Sequence, residues 1–356
     1  HRDLGGVRST GMILPATDAT RSGRSLVLAH LDGRPVEQLP AMPITMMFAA
    51  RLAGIAYRDY CTDFRLLAAA QVEVARRFGF DHVSAISDPA REAVDLGAPV
   101  TWFPDQPPAL DDTQALLADP VRLASLAVAD PAGGGRMTDR LRAIELLRKL
   151  APEHLVEGWV EGPCAEGADL RGISTLMTDF GDDPAFVADL FDFTTRQAIE
   201  FARAQVGAGA DIIGVGDAAA SLVGPTIYRD SVLPYERRLA DAIHGMGARV
   251  RLHICGNTRR SVADMATVGA DVIDLDSMVP FGQARADAGP GQILLGNLNP
   301  VTELMASSPE AIAAHVATCH LEAGSRFIVG AGCEVPAATP YANVEALVGY
   351  ARVTKP

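Results

Sequence analysis

The chain alternates short apolar runs, many of them rich in β-branched residues, with longer segments of helical, amphipathic periodicity. Apolar runs of this length are typical of buried strands, and regular alternation with helices is typical of a parallel sheet. The pattern predicts eight strands, at Pro43–Met47, His82–Ser87, Leu155–Glu161, Asp211–Asp217, Val250–Cys255, Asp271–Asp276, Gln292–Asn297 and Arg326–Gly330. A parallel α/β barrel and a doubly wound sheet are the two candidate folds.

Helical periodicity fills the intervals between the predicted strands. It predicts helices at Tyr60–Phe78, Thr138–Ala151, Pro184–Gly207, Arg229–Gly247, Thr258–Gly269, Pro309–Ala323 and Asn343–Arg352. No Pro- or Ser-rich linker divides the chain, so we expect a single domain over residues 23–356. Residues 1–22 are expected to form a disordered or vector-derived tail, and a helix near Arg24–Asp32 leads into the domain.

Residue types that commonly bind metals lie on one predicted strand and just after another. His253 and Cys255 are two residues apart, so on a strand both side chains point to the same face. Cys333 follows a later strand, and the carboxyl ends of barrel strands meet at one face. One imidazole and two thiolates with an open position are typical of a catalytic zinc ion. The sequence therefore predicts zinc bound by His253, Cys255 and Cys333.

Two more polar residues lie at the carboxyl ends of predicted strands. Asp217 is placed to orient His253 by accepting its second ring N–H, an arrangement that is common around zinc. Asn297 is expected beside the metal ligands or beside the substrate. We therefore predict Asp217 and Asn297 as catalytic residues.

Charge and composition exclude several classes of partner. The net charge is -13 without a Lys/Arg cluster, so a nucleic acid would be repelled. No apolar run reaches the roughly 18 residues of a membrane-spanning helix, so no membrane partner is expected. The five cysteines lack the spacing of a disulfide framework, which favours free thiols in a reducing cytoplasm.

Four segments of the chain contain sequence motifs that can be compared with known families. They are Leu252–Thr258, which contains H-x-C-G-N; Gly330–Pro336 with Thr339-Pro340 and Asn343; Gly296–Pro300; and Asp217–Ser221 followed by Pro234-Tyr235. The first two resemble motifs of the methylcobamide:thiol methyltransferases, a branch of the uroporphyrinogen decarboxylase superfamily. The other two resemble blocks that the whole superfamily shares. The likeness runs from about Ser22 to the C-terminus.

This resemblance implies a (β/α)8 TIM barrel of the uroporphyrinogen decarboxylase type with an N-terminal extension. It assigns the zinc-ligand role to His253, Cys255 and Cys333. It also implies a fourth, exchangeable carboxylate ligand, where the metal enzymes carry a Glu pair. Asp276 matches that position, although Asp274 points to the same face of the predicted strand and competes with it.

The same resemblance implies a zinc-dependent methyltransferase that moves a methyl group between a methyl-corrinoid and a substrate, with a thiol as the expected acceptor. The chain contains no D-x-H-x-x-G corrinoid-binding motif. The corrinoid is therefore expected as a co-substrate, free or on a separate corrinoid protein. The other partner is a small-molecule methyl donor or acceptor.

Two alternatives remain open from the sequence. The first is a metal-independent lyase of the decarboxylase type, for which Asp88 lies near the catalytic aspartate of that branch. Arg51 and Gly54 also match that branch, but Ile55 replaces its second anion-binding arginine, which removes a bidentate contact. The second alternative is a non-catalytic zinc protein that only binds a corrinoid protein.

Overall fold

The computed structural model describes residues 22–356. The predicted N-terminal tail lies outside the described residues except for Ser22. Ser22 begins the first helix, since its side-chain oxygen accepts a hydrogen bond from the amide of Ser25 at 3.2 Å. Among the described helices, none combines the length and apolar character needed to cross a bilayer.

Seven parallel strands form one curved sheet, and a two-stranded antiparallel ribbon lies apart from it. The strands are β1 (His82–Ser84), β2 (Val100–Thr101), β3 (Ala109–Leu110), β4 (Leu155–Glu161), β5 (Ile212–Gly216), β6 (Arg249–Ile254), β7 (Val272–Leu275), β8 (Ile293–Leu298) and β9 (Phe327–Ala331). The sheet order is β1-β4-β5-β6-β7-β8-β9, and β2 pairs with β3. Except for the ribbon, strand order follows chain order, as in a barrel.

Helices connect and surround the strands. They are α1 (Gly23–Leu31), α2 (Met47–Ala53), α3 (Tyr57–Thr62), α4 (Phe64–Phe78), α5 (Arg91–Asp95), α6 (Arg136–Leu150), α7 (Pro163–Arg171), α8 (Ile173–Asp182), α9 (Pro184–Ala208), α10 (Gly224–Ile227), α11 (Leu233–Gly245), α12 (Val262–Met265), α13 (Phe281–Ala288), α14 (Pro309–Ala323) and α15 (Tyr341–Val353). The long intervals before β4 and β5 hold the additional short elements.

An extended segment around Ala41 closes the sheet between β9 and β1. On one side, the amide of Met42 donates to the carbonyl of Val329 at 2.9 Å. On the other side, the amide of Asp81 donates to the carbonyl of Ala41 at 3.0 Å, and the Asp81 carboxylate accepts from the Ala41 amide at 2.8 Å. The barrel prediction is therefore confirmed, with this segment in place of an eighth full strand.

Three predicted elements differ from those in the structure. The strand expected at Pro43–Met47 does not form, because the bridge to β9 lies earlier, at Ala41, and Met47 already begins α2. The helix expected at Tyr60–Phe78 is divided at Asp63, whose carboxylate accepts the Arg65 amide and starts α4. The helix expected at Thr258–Gly269 is reduced to α12.

Helix α1 covers the amino-terminal end of the barrel. Its Val27 and Leu31 join a buried cluster with residues from the first half of several strands, including Leu155, Ile212 and Val272. That end is consequently filled with apolar side chains. Functional side chains are therefore expected at the carboxyl end, where barrels of this type carry their active sites.

Candidate metal centre

Three donor atoms meet at the carboxyl edge of the sheet, where β6 and β9 end. His253 lies in β6, Cys255 directly follows that strand, and Cys333 lies just beyond β9. Nε2 of His253 is 2.8 Å from Sγ of Cys255, and Sγ of Cys255 is 3.5 Å from Sγ of Cys333. Across residues 22–356, this is the one set of three or more His, Cys, Asp or Glu donors close enough to share a metal ion. The structure thus brings the predicted zinc triad together.

The donor types and their spacing fit zinc. Two sulfurs at tetrahedral zinc-bond lengths of about 2.3 Å are separated by about 3.8 Å, close to the 3.5 Å between Cys255 and Cys333. His253 is buried, with 4% of its surface exposed, whereas both cysteines are partly exposed. The sulfur side of the group is therefore the side that a further ligand can approach.

The two thiols differ in acidity because they are hydrogen-bonded to each other. The hydrogen bond from Cys255, helped by His253 and opposed by burial, lowers the pKa of Cys333 to about 4. The same hydrogen bond, with burial, raises the pKa of Cys255. Near neutral pH the sulfur pair therefore carries one negative charge and one proton. A divalent cation bound there would displace the remaining thiol proton, because sulfur ligates metals as the thiolate.

Asp274, rather than Asp217, contacts the imidazole of His253. The two residues are register partners on β6 and β7, and Nδ1 of His253 lies 3.1 Å from Oδ2 of Asp274. Burial lowers the pKa of His253, but attraction to Asp274 and Cys255 outweighs burial and raises this pKa well above 6.5. The predicted orienting role of Asp217 is therefore corrected. Asp274 takes this place because strand pairing aligns it with His253.

Asp217 instead holds the start of α7. Its carboxylate accepts hydrogen bonds from the amides of Ala165 at 2.6 Å and Cys164 at 3.4 Å. Its only bond to His253 is between backbone atoms, from the Asp217 amide to the His253 carbonyl at 2.9 Å. Burial, and then the neighbouring Glu236 carboxyl group, raise the pKa of Asp217.

Asp276, the predicted fourth ligand, does not belong to the group of close donors that the described residues form. Its Oδ2 accepts the amide of Gly256 at 2.8 Å, and its Oδ1 accepts the amide of Met278 at 3.0 Å. Both bonds are to loop backbone. Asp276 therefore connects the loop after β7 to the turn that follows Cys255.

Asn297 lies on the far side of the same loop. Its side-chain amide donates to the carbonyls of Asp276 at 2.9 Å and Val279 at 2.6 Å. It is buried and does not contact the His253, Cys255 or Cys333 side chains by any bond in the described structure. The structure places Asn297 as a support for the loop that Asp276 begins.

Sequence reasoning missed two buried charged residues below the donors, Arg251 and Glu157. Arg251 donates to Asp274 at 2.7 Å and to Glu157 at 3.1 Å. A signal was available, because Arg251 precedes His253 by two residues and must share its face on a strand. A charged residue inside a predicted core strand, such as Arg251, could therefore have indicated the polar contacts beneath His253.

Comparisons with known proteins identify the family of this chain. A family profile described as uroporphyrinogen decarboxylase (URO-D) matches residues 22–353. The chain belongs to the uroporphyrinogen decarboxylase family. Within that family it is 28% identical over 331 residues to methylcobamide:CoM methyltransferase MtbA of Methanosarcina mazei, covering 90% of this chain and 95% of the relative. It is also 31% identical over 252 residues to uroporphyrinogen decarboxylase of Streptomyces coelicolor, covering 69% of each chain.

A solved structure confirms the fold of this chain. A methyltransferase from Methanosarcina mazei superimposes with a TM-score of 0.85 at 24% identity, covering 93% of this chain and 98% of that chain. The α/β barrel architecture is thus shared over nearly the whole length. The resemblance inferred from the cysteine motifs is confirmed by the named methyltransferases and decarboxylases.

Asp88 and Arg51, which the sequence resemblance matched to the decarboxylase branch, are engaged in structural contacts here. The Asp88 side chain is fully buried, forms an ion pair with Arg136 and accepts the Ser87 hydroxyl at 2.8 Å. The Arg51 guanidinium donates to the carbonyls of Ala337 and Thr339, in the loop that follows Cys333. Arg51 therefore supports the loop that follows Cys333.

Proposed function

We propose that this protein is a zinc-dependent corrinoid methyltransferase. The observation that carries the proposal is the His253, Cys255 and Cys333 group at the carboxyl end of the barrel. The names of relatives that span nearly the whole chain, methylcobamide:CoM methyltransferases, support the same reaction class. We further propose that residues 23–356 act as one domain in the reducing cytoplasm, where thiol ligands persist.

In this proposal His253, Cys255 and Cys333 hold the metal, and Asp274 orients the imidazole. A zinc ion bound there would supply Lewis acidity that keeps a substrate thiol deprotonated near neutral pH. The protein residues orient the thiol, and the barrel wall limits access of water. The partly exposed side of Cys255 and Cys333 is the side from which the substrate enters.

The proposed reaction is a methyl transfer between sulfur and cobalt. The thiol loses its proton to solvent and becomes a thiolate, whose sulfur attacks the methyl carbon of a methyl-corrinoid. The S–C bond forms as the Co–C bond breaks, and cobalt retains the electron pair as cob(I)amide. The products are a methyl thioether and the reduced corrinoid. A thiol of the coenzyme M type is the first candidate, since that molecule appears in the relatives' names.

The corrinoid is proposed as a co-substrate from outside this chain. The sequence lacks a D-x-H-x-x-G motif, so free methylcobalamin or a separate corrinoid protein would approach the carboxyl face of the barrel. The small-molecule partner occupies the donor side of the same face. The proposed reaction involves neither a nucleic acid nor a membrane.

Metal analysis of purified variants tests the site. Wild-type protein is expected to bind one zinc ion, and Cys255→Ala and Cys333→Ala are each expected to lose most of it. Cys61→Ala is the matched control, because Cys61 is a buried cysteine outside the donor group. Unchanged zinc content in both site variants would contradict the proposal.

Methyl transfer from methylcobalamin to a panel of thiols tests the reaction, followed by the absorbance change at cobalt. The lyase alternative, supported by the identity to the Streptomyces coelicolor decarboxylase, predicts metal-independent decarboxylation that Asp88→Ala abolishes. A non-catalytic zinc protein would bind zinc and a corrinoid protein without turnover. The three candidates therefore give three different outcomes.

A further inference from the structure

A row of charged side chains crosses the barrel interior directly below the metal donors. Glu157 on β4 lies 3.1 Å from Nη1 of Arg251 on β6, and Nη2 of Arg251 lies 2.7 Å from Oδ2 of Asp274 on β7. The same Oδ2 lies 3.1 Å from Nδ1 of His253. The Glu157, Arg251 and Asp274 side chains are at most 1% exposed. The row therefore ends on a metal donor.

Strand pairing fixes the row in place. Arg251, His253 and Cys255 follow one another at two-residue intervals along one face of β6 and its extension. Asp274 is aligned with His253 in the register of β6 and β7. None of the contacts in the row depends on a loop. Their positions are consequently as rigid as the sheet itself.

An ionic row in this position does not follow from stability alone. The interior of such a barrel is usually filled by branched apolar side chains. Buried ion pairs are often replaced by apolar residues without loss of stability, because their desolvation is costly. A row of two carboxylates and one guanidinium inside the barrel therefore points to a role in orienting His253.

The contact geometry shows how Arg251 acts on the imidazole. Nε of Arg251 lies 3.1 Å from Oδ2 of Asp274, so two nitrogens of the guanidinium hold one carboxylate oxygen. That oxygen is also the one next to Nδ1 of His253. With Nδ1 at ion-pair distance from this oxygen, Nε2 faces the sulfur of Cys255 at 2.8 Å, on the side of the candidate metal donors.

We propose that Arg251 is a positioning residue of the metal centre, which fixes Asp274 and thereby aims Nε2 of His253 at the metal. This inference rests on the proposed function in one respect, namely that the donor group binds a metal. Arg251 touches neither metal nor substrate in this arrangement. The proposed effect on the imidazole is transmitted through Asp274.

The test uses metal binding rather than turnover. Zinc affinity is measured by competition with a chromophoric chelator, and cobalt(II)-substituted protein is examined by visible absorption, which reports the geometry of the ligands. Arg251→Met is expected to weaken zinc binding by roughly 10- to 100-fold, as loss of supporting contacts around a metal does. Its cobalt bands are expected to shift, because the imidazole is no longer held in place.

Arg251→Lys is the second variant and decides the test if Arg251→Met does not fold. Lysine keeps the charge but lacks the planar fork that holds Oδ2 at two nitrogens. Intermediate weakening and a smaller band shift are expected. Arg140→Met is the matched control, since Arg140 is a buried arginine on α6 that contacts Asp139 instead. It is expected to retain wild-type affinity and spectrum.

Zinc affinity within twofold of wild type, with unchanged cobalt bands, in the folded Arg251 variants would overturn the inference. Equal losses in Arg140→Met and Arg251→Met would also overturn it, because the effect would then be a general consequence of removing a buried cation. Wild-type protein that binds neither metal would instead defeat the proposed function. The two failures are therefore distinguishable.

Discussion

Nδ1 of His253 lies 3.1 Å from Oδ2 of Asp274, and the two residues face each other across neighbouring parallel strands. One carboxylate oxygen thus lies at ion-pair distance from a ring whose other nitrogen is 2.8 Å from the Cys255 sulfur. The His253–Asp274 contact belongs to the proposed metal centre, whereas Asp217 and Asp276 support nearby backbone.

Asp274→Asn is expected to weaken zinc binding by about 10- to 100-fold, because the carboxylate beside the ligand is replaced by a neutral amide. Asp217→Asn is expected to leave zinc affinity nearly unchanged, since the Asp217 side chain bonds to the amides of α7 and not to the imidazole. Chelator competition measures both variants. The original sequence-based hypothesis for Asp217 predicts the reverse order, and that result would contradict the structural assignment.

Asp276→Asn tests the predicted fourth ligand. An asparagine oxygen can still accept the amide of Gly256 or Met278, so the loop after β7 is expected to remain in place. If the carboxylate serves only this loop, zinc content stays at one ion per chain and affinity falls less than in Asp274→Asn. X-ray absorption at the zinc edge then shows the same oxygen content in variant and wild type. Loss of one oxygen ligand in the variant would support ligation by Asp276.

The fold was largely predictable because buried parallel strands are continuous apolar runs that alternate with helices. β4 was predicted with its observed bounds, and so was α14. The run at Pro43–Met47 was misjudged, because the bridge to β9 lies before it, at Ala41, and the run itself leads into α2 at Met47. Local hydrophobicity does not distinguish these uses from a strand.

The site was predictable only as far as residues on one strand determine it. Two-residue spacing placed His253 and Cys255 together, and the motif around Cys333 supplied the third donor. The pairing of His253 with Asp274 depends on the register between two strands, which no local pattern contains. Asp274 and Asp276 share a face, so alternation could not separate their roles.

Glu236 is expected to make the stability of the fold depend on pH. Burial raises its pKa from 4.5 to about 7, so between these values the folded chain binds a proton that the unfolded chain has lost. Stability from this group is complete below pH 4.5 and is lost as pH rises toward 7. Glu236→Gln should remove a decline of up to about 3 kcal/mol over this range.

Urea unfolding of metal-free protein at several pH values between 4.5 and 8 measures this effect. Carboxyl groups distant from Glu236 contribute equally to wild type and variant. Glu236 also raises the pKa of Asp217, so the difference between the two curves reports this pair of carboxyl groups. Glu345→Gln is the control, because Glu345 is exposed on α15. Parallel stability curves for wild type and Glu236→Gln would refute the prediction.

The sulfur pair is expected to oxidise when zinc is removed. Sγ of Cys255 lies 3.5 Å from Sγ of Cys333, and both residues are partly exposed. A small disulfide oxidant would accept two electrons and two protons from the pair, leaving two small thiols and a Cys255–Cys333 disulfide. Metal-free protein treated in this way should lose the mass of two hydrogen atoms, and peptide mapping should place the new bond between these cysteines.

Zinc should protect against this oxidation, because bound sulfurs are not free to attack a disulfide. Cys319→Ala, which removes a buried thiol outside the pair, should oxidise like wild type. Cys333→Ala should instead form a mixed disulfide with the oxidant at Cys255. Equal oxidation rates with and without zinc would indicate that the metal is not held by these two sulfurs, and a persistent reduced pair in metal-free protein would indicate that they are farther apart in solution than 3.5 Å.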